Sequence, residues 1–189
     1  MEKRFYDAIA DNPIIAAVKN MDGLEKSCSL EDIRVIFVLF GDICSIQGIV
    51  RRIKEAGKIA VVHMDLISGL GTKEIAVDFL KENTMLDGII STKPSLIKRA
   101  KELHLYTILR YFLIDSMALA AVVSQPNTLQ PDFIEILPGV MPKIIKQVCS
   151  SLKVPIIAGG LIGDKESVMA ALAAGATAVS TTPEEVWRM

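Results

Sequence analysis

Residues 154–182 read VPIIAGGLIGDKESVMAALAAGATAVSTT, and this stretch decides the fold. An apolar run at 155–158 stops at Gly159-Gly160, an Ala-rich helical pattern follows, and a second apolar run closes on Ser180-Thr181-Thr182. Strand, loop, helix, strand is one βαβ unit, which makes its two strands parallel. Both strand ends carry groups suited to an oxyanion: glycines expose backbone N–H donors, and Ser180, Thr181 and Thr182 add hydroxyls. Asp164 is expected to cap the intervening helix, and Thr182-Pro183-Glu184-Glu185 reads as a capping box with Pro at the first helical position. In a (β/α)8 barrel the loops after the seventh and eighth strands commonly form a phosphate site. If these are those strands, the ligand is a small phosphorylated molecule. The plainer alternative is that Gly-Gly is turn chemistry and Ser-Thr-Thr a common strand ending.

Outward from that unit, the same alternation repeats toward the N-terminus. Further strands are expected at 14–18, 35–40, 59–65, 87–92, 106–114 and 133–137. Helices are expected at 43–56 (ended by Gly57), 73–81 (capped by Thr72), 95–103 (started by Pro94), 117–123 (opened by Asp115-Ser116) and from Pro142 to about 151. Gln125-Pro126-Asn127 breaks the fourth of these patterns into a loop, 184–189 is a terminal helical turn, and 21–30 is the weakest helical segment. Strand starts fall roughly 19 to 28 residues apart, with no linker or composition shift between them. About eight such units predict a single (β/α)8 TIM-type barrel domain over 1–189, in preference to an open flavodoxin-like sheet of five or six strands. The chain is slightly short for this barrel, so some helices are expected to be short or missing.

Composition agrees. Of the 189 residues, 51% are hydrophobic, and the mean hydropathy of +0.40 suits parallel strands buried on both faces. No apolar run approaches the roughly 20 residues of a membrane span, and residues 1–5 lack a signal-peptide core, so a cytoplasmic protein without membrane contact is expected. Cys28, Cys44 and Cys149 are odd in number and far apart, which suggests neither disulfides nor a metal site. Cys44 and Cys149 read as small core residues in helical patterns. A net charge of −1 excludes nucleic-acid binding through a strongly basic overall field, although not through a local patch. Basic residues cluster at Arg51, Arg52, Lys54 and Lys58 and at Lys98, Arg99 and Lys101, most simply as solvated helix faces. His104 reads as an exposed charge at a helix end.

Ionisable residues inside apolar strands carry the functional signal, because burying a charge costs several kcal/mol unless it is paired. Val61, His63 and Asp65 share one side of their strand, Lys19 lies on the side of Ile15 and Ala17, and Arg110 and Glu135 interrupt apolar runs. These groups imply a polar cluster at the C-terminal face, where barrel active sites lie. Arg110 and Glu135, on neighbouring strands, are candidates to pair with each other, and His63 with Asp65 to act as an oriented acid and base.

Several stretches together resemble one family, the glycerol 3-phosphate-responsive antiterminators that regulate bacterial glycerol uptake operons. They are NPIIAAVK at 12–19, HMDLISGL at 63–70, DGIIST at 87–92, RYFLIDS at 110–116, EILPG at 135–139, PIIAGG at 155–160 and Ser180-Thr181. The resemblance runs from Asn12 to Trp187. It implies a small (β/α) barrel, not an enzyme, that binds glycerol 3-phosphate as effector and acts on leader mRNA so that transcription passes a terminator. Phosphate binding would fall to Gly159, Gly160, Ser180 and Thr181. The glycerol moiety would fall to the polar cluster of Lys19, His63, Asp65, Arg110 and Glu135. No catalytic residue, cofactor or metal is implied, and a homo-oligomer stays open. The alternative is an isomerase or aldolase acting on a small phosphorylated substrate, with His63 or Lys19 as base, since the fold hosts many chemistries.

Overall fold

The computed structural model describes residues 2–124 and 129–189. Eight parallel strands close into a barrel in sequence order: β1 (Ile14–Val18), β2 (Val35–Val38), β3 (Ile59–His63), β4 (Gly88–Ser91), β5 (Tyr106–Phe112), β6 (Phe133–Leu137), β7 (Ile156–Gly159) and β8 (Ala178–Thr181). Helix α1 (Glu2–Asp11) precedes the barrel. The crossovers are α2 (Met21–Ser29), α3 (Ile46–Glu55), α4 (Ile75–Asn83), α5 (Pro94–Glu102), α6 (Ser116–Val123), α7 (Pro142–Ser151) and α8 (Lys165–Ala173). The expected economy of helix is real: the crossovers have 8 to 10 residues. After β8 there is only a 3-10 turn, Val186–Arg188.

Period-two alternation divides the strands between two cores. Ile15, Ala17, Val35, Phe37, Ile59, Val61, Ile90, Ile108 and Phe133 fill the barrel, while the alternate residues pack under the helices. Helix α1 was not anticipated from sequence. It closes the N-terminal end of the barrel with fully buried Phe5, whose ring lies 5.0 Å from that of Tyr106 and 4.8 Å from that of Phe133. Its buried stripe is only Phe5 and Ile9, too short a pattern to be distinguished without its partners.

Local signals placed most helix starts. Asp115 accepts from the Ala118 N–H at 2.7 Å, Asp164 from the Ser167 N–H at 2.7 Å, and Pro94 and Pro142 occupy first helical positions. The weak segment after β1 is a helix because Asn20 caps it, accepting from the Gly23 N–H at 2.9 Å. Other expectations fail. Thr72 caps nothing, and α4 starts at Ile75. No capping box forms at Thr182, since the following turn has Glu185 at its cap without a side-chain bond. Cys44 is exposed, because Asp42 draws the Cys44 and Ser45 N–H groups into a turn that delays α3 to Ile46. The anticipated break at Gln125-Pro126-Asn127 lies outside the described residues.

Candidate functional site

Parallel register sets neighbouring inward residues side by side at the C-terminal mouth. Arg110 of β5 is the register partner of Glu135 of β6, and Gly159 of β7 that of Ser180 of β8. Arg110 Nε donates to Glu135 Oε2 at 2.6 Å, and Ser180 Oγ donates to Glu135 Oε1 at 2.6 Å. Glu135 is fully buried and reaches Ser180 past β7. Gly159 makes that crossing available, because a Cβ there would stand 2.6 Å from both Glu135 Oε1 and Ser180 Oγ.

Above this network lies a cavity of about 290 Å³ lined by Arg110, Glu135, Gly160, Gly163, Ser180 and Thr181, among others. That volume is at the lower end of the roughly 300–1,000 Å³ typical of small-molecule sites. Among the described residues Arg110 donates only through Nε; both of its terminal amino groups lack a hydrogen-bond partner there and are not sealed from solvent. The guanidinium is therefore fixed in place with donors left over. Gly160 turns the chain away from β7 at φ +73°, where a side chain would also crowd Leu137. Thr181 Oγ1 donates to the Ile162 carbonyl at 2.6 Å, so that hydroxyl braces the loop after β7. Of the four anticipated phosphate groups, Gly160, Ser180 and Thr181 line the cavity, and Gly159 makes room behind it.

The rest of the expected polar cluster is elsewhere. Lys19 is exposed, has no ion pair among the described residues and does not line the cavity. His63 and Asp65 are no hydrogen-bonded dyad, since Nδ1 stands 3.9 Å from Oδ2. His63 Nδ1 is instead buried without a partner. Burial, with the Arg110 charge nearby, pulls the imidazole pKa down to about 4 despite Asp65. Asp65, just beyond β3, turns to β4 and α5: it accepts from Thr92 N–H at 2.9 Å, Ser91 Oγ at 3.1 Å and Lys93 Nζ at 3.0 Å. Burial opposes ionisation there, but the Thr92 N–H and the Lys93 ammonium outweigh it and hold the carboxyl below its usual range. Lys93 was missed; its position directly after the β4 terminus, in Ser91-Thr92-Lys93-Pro94, was the available signal.

Among the described residues no group of three or more His, Cys, Asp or Glu is placed to hold a metal ion, and no helix is long and apolar enough to cross a membrane. The basic clusters seen in sequence are largely neutralised: Arg52 pairs with Glu25, Lys54 with Asp87, and Arg99 with Asp78 and Glu102. Lys58 is buried on the carbonyls of Leu30 and Ile33.

Residues 14–187 match the family model "Glycerol-3-phosphate responsive antiterminator". The chain is 44% identical over 181 residues to the uncharacterized protein YgcP of Escherichia coli strain K12, covering 96% of this chain and 94% of that one. It superposes on the crystal structure of a glycerol uptake operon antiterminator regulatory protein from Listeria monocytogenes with a TM-score of 0.90 and 35% identity, over 94% of this chain and 96% of the other. For a glycerol uptake operon antiterminator-related protein from Thermotoga maritima the values are 0.82 and 33%, over 93% and 98%.

Proposed function

The chain belongs to the glycerol-3-phosphate responsive antiterminator family, and from that premise we propose that it senses glycerol 3-phosphate in the cavity at the barrel mouth and, when loaded, acts on leader mRNA to carry transcription past a terminator. The observation that carries this reading is Arg110, anchored through Nε by Glu135 with both terminal amino groups unspent beside Gly160, Ser180 and Thr181. A phosphate monoester matches those donors in charge and in bidentate geometry. Glu135 keeps lone pairs beyond the two bonds it accepts, and takes a glycerol hydroxyl. The effector then works by binding the RNA-competent state more tightly than the other.

An enzyme that abstracts a proton is the weaker reading. A histidine with a pKa of about 4 is a poor general base near neutral pH, and Lys19 stands outside the cavity.

Isothermal calorimetry with glycerol 3-phosphate, glycerol and inorganic phosphate tests the proposal. The phosphoester is expected to bind at least about tenfold more tightly than glycerol, the worth of one charge-assisted bond of roughly 1.5–3 kcal/mol. Equal binding of glycerol and its phosphate would overturn it.

A further inference from the structure

From Ile136 to Gly163 the chain contains Lys143, Lys146 and Lys153 and no Asp or Glu. Helix α7 lies within this stretch and is the one helix among the described residues that carries cations and no carboxylate. Ile145 and Val148 are its fully buried residues. Lys143, Lys146, Gln147 and Ser150, spaced i, i+3, i+4 and i+7, form its exposed stripe, and Lys153 extends it just past the helix end. None of the three lysine ammonium groups has an ion pair or a hydrogen bond among the described residues, although the Lys146 carbonyl accepts from Ser150 Oγ at 2.8 Å. On α3 and α5, by contrast, Arg52, Lys54 and Arg99 are paired with Glu25, Asp87, Asp78 and Glu102, and Arg51, Lys98 and Lys101 are the basic residues without an ion pair among the described residues. A molecule of net charge −1 thus has a cationic helix face with no acidic residue on its own helix.

On the family reading just given, we infer that the outer face of α7, with Lys143, Lys146 and Lys153, is the surface that holds the phosphate backbone of RNA. Lys143 and Lys146 stand one turn apart, about 5–6 Å between Cβ atoms, which lets their ammonium groups take successive phosphates of one strand. Gln147 and Ser150 add neutral polar contacts between them. An anionic membrane fits less well, because the apolar side of α7 is spent on the barrel and its outer face offers nothing to insert. The position also couples the strip to the effector. Helix α7 joins β6, which carries Glu135, to β7, which leads to Gly160, and the Gly139 N–H donates to the Gly160 carbonyl at 3.0 Å, tying the loops at the mouth.

The test is fluorescence anisotropy with a random-sequence single-stranded RNA pool over a salt series, with and without glycerol 3-phosphate. Three proteins are compared: wild type, Lys143→Ala/Lys146→Ala/Lys153→Ala, and a charge-matched control, Lys73→Ala/Lys81→Ala/Lys98→Ala. Each single-strand phosphate contact contributes about 0.7 to the slope of log affinity against log salt. The α7 variant should therefore lose about 2 from the slope and at least about tenfold in affinity at low salt. It should keep the wild-type melting temperature and its calorimetric affinity for glycerol 3-phosphate, and the control should keep the RNA affinity. An unchanged slope in the α7 variant, or an equal loss in the control, would sink the inference. So would wild-type protein that binds phosphatidylglycerol vesicles and no RNA. RNA binding that depends on the three lysines but ignores glycerol 3-phosphate would keep this surface and discard effector gating.

Discussion

The two sides of the barrel mouth are built from the same residue types and end in opposite states. Toward β3 and β4, Asp65 spends its carboxylate on Ser91, Thr92 and Lys93, and none of the four lines the cavity. Toward β5 to β8, Glu135 binds one nitrogen of Arg110 and one hydroxyl, leaving both terminal amino groups of the guanidinium beside a cavity. A charged residue at a strand end is therefore not by itself a ligand group. The difference is the hydrogen-bonding capacity left after the protein has satisfied itself, and Arg, with five donors in a fixed fork, is the side chain most able to be both pinned and unsaturated.

The comparison breaks most visibly at Arg110. Arg110→Met leaves Glu135 buried and unpaired, and should cost about 3–5 kcal/mol by denaturant unfolding. Arg110→Met/Glu135→Gln should recover much of that, and both variants should lose the phosphoester preference in calorimetry. A stability loss below about 1 kcal/mol in the single variant would mean that the pair does not hold the cavity side together.

His63, between the two sides, gives the next effect. Its folded pKa of about 4 lies below the ordinary 6.5, so the unfolded chain binds the extra proton between those values and stability must fall as pH drops from about 6.5 to about 4. The full loss is of the order of 3 kcal/mol. His63→Phe should flatten this part of the curve, and an unchanged pH profile would show that the imidazole is not held neutral.

Asp65→Asn should give the smallest effect, about 1–2 kcal/mol of stability. Because the Asp65 pKa is depressed, its contribution is present above the ordinary value of 3.8 and lost as pH falls through its lower folded value. Effector affinity should change far less than in Arg110→Met. An equal fall would merge the two sides into one site.

Much of this was legible in the chain. The apolar runs with their turn residues announced parallel strands, Asp115, Asp164, Pro94 and Pro142 marked helix starts, and strand parity put Arg110 and Glu135 inside together. Thr72 and Thr182 failed as caps because a hydroxyl in the right place along the sequence does not cap unless the backbone turns toward it. Cys44 reads as core in sequence because the periodicity of α3 continues back through the Asp42 turn that precedes the helix. Lys93 carries only one local mark, its place directly after β4, because the partner that gives it a role lies 28 residues earlier.

The sequence by itself determined the barrel, the inward placement of Arg110 and Glu135 and the family, since each depends on propensity, alternation and motif order within short segments. Only the tertiary structure decided that α1 stops the barrel floor, that Asp65 belongs to Lys93, and that Arg110 has donors to spare. Those outcomes depend on which residues of distant strands and helices meet, 25 positions apart for Arg110 and Glu135 and 45 for Ser180 and Glu135. Register across a closed sheet is a property of all eight strands together.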